Sequence, residues 1–153
     1  MMKKIIVLVL ALSAFAEAKA QQMKVVTIVE SIVPMGLGRS RIIEHQGEMD
    51  VSQFTTERTD GKKSSQGNVK REEAKIATLS ETKLLNFYSG FGINFQNIAS
   101  NDALITSKIN EMIKEGWNLT FVTSGVESVG GRGDDNGIFI TRLFFYRADP
   151  VVN

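Results

Sequence analysis

The sequence predicts an α+β fold, an antiparallel β-sheet with one main helix at about 102–115 packed on one face. Three observations carry that expectation. Apolar residues recur at Ile105, Ile109, Met112 and Ile113, the spacing of a single helix face. The two runs after them, NLTFVTSGVESV and GIFITRLFFYR, alternate as half-buried strands do. Near the start, KVVTIVESIVP (24–34) is dense in β-branched residues and stops at Pro34.

Taken in chain order, the run 24–34 is apolar on both faces for part of its length, which places it at the centre of a sheet. The glycines of MGLG then reverse the chain, and RSRIIEH (39–45) reads as a short strand returning antiparallel. From Gly47 to about Arg71 the residues turn polar and describe an exposed excursion, with Asp60-Gly61 as a two-residue hairpin signal. Residues 72–95 fit either a strand, from the alternation of Ala74, Ile76 and Thr78, or a helix, from the charged start. The helix at 102–115 takes Asn101 or Asp102 as its N-cap and Gly116 as the residue that ends it. In that geometry Trp117 folds back on Met112 and seals the helix end against the core. In the last strand Phe139, Leu143 and Phe145 are expected on one face, and Ile138, Ile140, Phe144 and Tyr146 on the other.

The first twenty residues read as a signal peptide. Lys3 and Lys4 precede the apolar run IIVLVLALSAFA, and Ala18-Lys19-Ala20 supplies small residues where a signal peptidase reads them, so cleavage falls before Gln21. The destination is periplasmic or extracellular, and the mature chain, 21–153, is a single domain with no membrane span. Removing residues 1–20 takes away Lys3, Lys4, Lys19 and Glu17, leaving 15 basic and 16 acidic side chains and a net charge of −1. That balance argues against a nucleic-acid partner, which needs a basic face. With no cysteine in the chain, disulfides, thiolate metal sites and thiol nucleophiles are excluded together. No cofactor is called for.

A helix ending in EGW, then NLTFV, a turn, and the aromatic strand RLFFYR, with KVVTIVE as first strand, resembles the small βαββ domain of unknown function 4177. The likeness covers the first strand and residues from about 101 to 147. Residues 35–100 depart from the compact family pattern as a long insertion. The resemblance implies a fold and no activity, since that family brings no catalytic residues to carry over.

Four stretches are candidate sites. SVGGRGDDNGI contains a single Gly-Gly-x-Gly-x-Asp unit, with Asp134, Asp135 and Asn136 as calcium ligands, and an Arg-Gly-Asp tripeptide. Calcium takes six to eight oxygens, more than these three side chains hold, and a tripeptide recurs by chance. A hairpin turn accounts for the flanking strands and the glycines alike. Arg39 and Arg41, in PMGLGRSR, could hold an anion, though no helix follows to face a phosphate. His45 is the only histidine, so a hydrolase would have to centre on it. Glu44 beside it would point to the opposite face of a strand. The aromatics Phe87, Tyr88, Phe91 and Phe95 describe either an adaptable binding surface, with Tyr88 as contact residue, or core, and core is the expected role for most of them.

The functional expectation is an exported, non-catalytic binding or interaction domain with an unidentified protein or small-molecule partner and an open oligomeric state. A calcium-stabilised structural or adhesion protein using 130–137 is the alternative. A His45 hydrolase is the third reading.

Overall fold

The computed structural model describes residues 21–31, 39–89, 91–126 and 137–148. They form a fully antiparallel five-stranded sheet, a two-stranded hairpin and one long helix. The sheet strands are β1 (Gln21–Ser31), β2 (Arg41–His45), β3 (Leu79–Lys83), β6 (Asn118–Val126) and β7 (Ile138–Ala148). Their order is β3-β2-β1-β7-β6, so the β-branched first strand does take the central place. β4 (Tyr88–Ser89) and β5 (Gly92–Ile93) make the separate hairpin, and α1 (Phe95–Lys114) follows it directly.

Register decides which side chains meet the helix. Val26 lies opposite Leu143 of β7 on one side and Glu44 of β2 on the other, while Ile28 lies opposite Ile42. These residues share a face because strand side chains alternate. Val26, Ile28, Ile42 and Leu143 form the buried core with Leu84, Met112, Trp117 and Phe145, and Ile105 and Ile109 of α1 pack against it. Thus α1 covers β1, β2 and β7. β6 lies beyond that cover, and all nine of its residues are exposed.

The helix begins earlier than its apolar periodicity indicates. Asn94, not Asn101 or Asp102, is the N-cap, and its side chain accepts from the backbone N–H of Asn97 at 3.1 Å. Asn101 is fully buried inside the helix instead. The C-terminal end forms as expected. Gly116 takes φ of 87°, its N–H donates to Ile113 at 3.0 Å, and the N–H of Trp117 donates to Met112 at 3.0 Å. That pair of bonds is a Schellman motif, which satisfies carbonyls the helix leaves unpaired.

The excursion between β2 and β3 carries only short 3-10 turns, Val51–Phe54 and Gln66–Asn68. Asp60-Gly61 makes a turn but no β-hairpin. Gly61 has φ of 67° and the Asp60 carboxylate accepts from the N–H groups of Lys62 and Lys63, yet no strand flanks it. Within 72–95 a strand forms at Leu79–Lys83, but Ala74, Ile76 and Thr78, whose alternation suggested one, lie before it in turn and loop. No described helix is long and apolar enough to cross a membrane. Residues 1–20, where the signal peptide is expected, lie outside the described residues, as do 32–38 and 127–136.

Candidate functional site

After β3 the chain crosses the helix side of the sheet. Leu84 N–H donates to the Ser40 carbonyl at 2.9 Å beside β2. The Ser40 hydroxyl donates to Asn86 Oδ1 at 2.7 Å and accepts from Ser31 N–H, at the end of β1, at 2.9 Å. Phe87 then meets Phe139 of β7, with ring centroids 5.7 Å apart. Residues 84–87 therefore run from one border of the sheet to the far side of its centre, under the start of α1.

The first turns of α1 hold this crossing by side-chain amides. Asn101 accepts from Leu85 N–H at 2.8 Å and donates to Leu85 C=O at 2.7 Å, as a neighbouring strand would. Asn97 donates to Asn86 C=O at 2.7 Å, and Asn94 N–H donates to Phe87 C=O at 2.7 Å. Backbone groups in the interior need such partners, because an unpaired one costs about 1–3 kcal/mol. The result is a hairpin whose root is fixed on both sides.

What the root supports is apolar and exposed. Phe91 at the turn is 103% exposed and Phe95 is 77% exposed, with Ile93 and Tyr88 exposed beside them. Gly92 takes φ of 113°, a value that favours glycine and lets the chain reverse here. This corrects the expectation that most of these aromatics are core. Only Phe87 is partly buried; Tyr88, Phe91 and Phe95 lie on the surface. The physical reason is the crossing itself, which is pinned through its backbone and leaves the next residues beyond the edge of the helix–sheet interface.

His45 stands at the end of β2, exposed, in an open cleft of about 610 Å³ lined by Gly47, Glu48, Met49, Ala74 and Ile76. Its Nδ1 lies 3.0 Å from the Gly47 carbonyl, which can only accept, so Nδ1 is the donor of that bond. Glu44 does point to the opposite face, as the strand alternation requires. Its carboxylate is buried and bonded to Lys24 and Lys108, which ties β1, β2 and α1 together. Burial pushes the Glu44 carboxyl up, but hydrogen bonds from Lys108 and Lys24 and their charges outweigh it and hold it below its ordinary range. The triad is an internal clasp, separate from the cleft.

Arg39 is exposed, and the half-buried Arg41 is bonded to Glu81 of β3 across the strand pair. An anion at Arg41 would have to compete with that carboxylate. Asp134, Asp135 and Asn136 lie outside the described residues. Among the described residues no group of three or more His, Asp or Glu side chains could hold a metal ion.

The pattern missed Ile93 and the amides Asn86, Asn97 and Asn101. A signal for the last two exists in hindsight: Asn94, Asn97 and Asn101 continue the stripe of Ile105 and Met112 backwards at helical spacing. Comparison with protein-family models, curated proteins and solved structures finds no match to this chain.

Proposed function

We propose that the chain is an exported, non-catalytic binding module that presents the hairpin at 88–95 to a protein or small-molecule partner. One observation carries this: Phe91 is wholly exposed at the tip of a hairpin whose neighbours Ile93 and Phe95 are exposed too. An aromatic side chain can bury about 150–250 Å². A cluster of them held outside the core is surface kept for a contact, and contiguous exposed apolar groups mark interaction sites. The amide-pinned root adds to this, since a pre-organised hairpin loses less conformational freedom on binding. Export is supported by the order of features at the N-terminus, from Lys3 and Lys4 through the apolar run to Ala18-Lys19-Ala20.

The reading is tested by placing a photo-crosslinking aromatic residue at position 91, or at the exposed position 72 as a control, in cells that export the chain. Discrete adducts at 91 and none at 72 are expected. They should disappear when Phe95→Ser and Tyr88→Ser are added, with the unfolding midpoint unchanged. Adducts at neither position, or equally at both, would remove the hairpin as the contact surface.

A further inference from the structure

β6 (Asn118–Val126) borders the sheet, paired with β7 on one side and with no described strand on the other. An edge offers a row of unpaired N–H and C=O groups, and proteins ordinarily blunt it with charge, proline or brevity. The opposite border does so: β3, LSETK, is five residues long and carries Glu81 and Lys83. β6, NLTFVTSGV, is nine residues long with no charge and no proline. Its one irregularity lies between Leu119 and Phe121, so Phe121 to Val126 stay in regular register with β7. Leu119, Phe121, Val122 and Val126 are all exposed, because α1 covers β1, β2 and β7.

We infer that β6 is a self-pairing edge, and that its partner is β6 of a second copy of this chain, antiparallel about a two-fold axis near Val122. The inference is independent of the hairpin at 88–95. Charge selects the occupant. In an isologous antiparallel pair each residue near the axis faces its own equivalent or a near neighbour, so a charge there meets its like. β3 would set Glu81 against Glu81. Centred on Val122, β6 sets Val122 against Val122 and Phe121 against Thr123, all neutral. Pairing the two copies joins their sheets into one and removes both long bare edges. One strand pair with these apolar groups falls short of the roughly 800 Å² per partner of a standard interface. The dimer is accordingly weak and concentration-dependent.

The test uses sedimentation velocity on the purified chain across a hundredfold concentration range, beside Val122→Lys. Wild type should show a dimer that grows with concentration, and Val122→Lys should stay monomeric with its unfolding midpoint within a degree or two of wild type. Because the chain has no cysteine, Val122→Cys gives an independent check. Under mild oxidation it should form a disulfide-linked dimer, whereas Thr82→Cys on β3 should not. A monomer throughout the range overturns the inference. So does a dimer that survives Val122→Lys, or crosslinking through position 82 as readily as through 122.

Discussion

The guanidinium of Arg147 lies over the ring of Trp117, with its carbon 4.3 Å from the ring centroid. From there Nη1 donates to the Glu115 carbonyl at the end of α1, at 3.3 Å, and Nη2 donates to Gln22 Oε1 at the start of β1, at 2.8 Å. One side chain thus joins the helix end, the first strand and the only tryptophan. Arg147→Lys keeps the charge but cannot span two acceptors with a planar fork. It should cost about 1 kcal/mol. Trp117 fluorescence checks the mechanism, since no other tryptophan contributes to it: the emission maximum should move along with the unfolding midpoint, and an unmoved spectrum would refute the contact.

Gly116 should be as sensitive, for a backbone reason. A Cβ there would meet nothing closer than Arg147 Cδ at 3.6 Å, an ordinary contact. Space is therefore available, and the cost of Gly116→Ala comes from holding φ at 87°. About 1–2 kcal/mol is expected, read by chemical denaturation. Gly67→Ala, in open space with no positive φ, is the control and should be near neutral.

Gly116 and Trp117 were also the most legible in the sequence, because a helix stop is local chemistry: Glu115-Gly116-Trp117 contains all the residues it needs. The helix start was not legible. Its first turns turn Asn97 and Asn101 inward, and a search for apolar periodicity passes over amides. The aromatics at 88–95 failed for a different reason. Whether Phe91 faces core or solvent depends on where the crossing at 84–87 sets it down, and that depends on Ser40, Asn97 and Asn101, which are distant in the chain. In the last strand the alternation was correct, with Leu143 and Phe145 on the buried face, but the half-buried reading of β6 was not, since all nine of its residues are exposed. What it could not convey is that α1 lies over β1, β2 and β7, so that both faces of β6 stay exposed.

Asn101 offers the sharpest test of the crossing. Asn101→Ala removes the acceptor for Leu85 N–H and the donor to Leu85 C=O in one step. A loss of about 2–3 kcal/mol is expected. Hydrogen exchange locates it: protection should fall at Leu85 and at the hairpin that follows, while β7 keeps its own. A uniform loss across the sheet would mean that Asn101 serves the core and not the crossing.

Glu44 makes the stability of the fold depend on pH on the acid side. Its carboxyl is pushed up by burial, yet the bonds and charges of Lys108 and Lys24 prevail and leave it below its ordinary value. The folded chain therefore binds this proton less readily than the unfolded chain. The stabilisation is complete above the unfolded value of about 4.3 and is lost as pH falls through the depressed folded one. Lys108 works in the other direction. Burial pushes its ammonium down, but hydrogen bonds to Glu44 and Glu111 raise it above its ordinary value. Its contribution is complete below about 10.4 and is lost as pH rises through the raised folded value. The triad thus contributes a plateau between those limits, with an acid limb owed to Glu44. Glu44→Gln leaves Lys24 and Lys108 facing each other without the carboxylate between them. Breaking a buried pair in this way costs about 3–5 kcal/mol when no water reaches it. The two lysine side chains are 19% and 17% exposed and can still reach solvent, so roughly 2–3 kcal/mol is expected at neutral pH. Unfolding midpoints measured from pH 3 to 8 should show the variant below wild type at neutral pH and converging on it as pH falls. Parallel curves would mean that the clasp contributes packing and no charge.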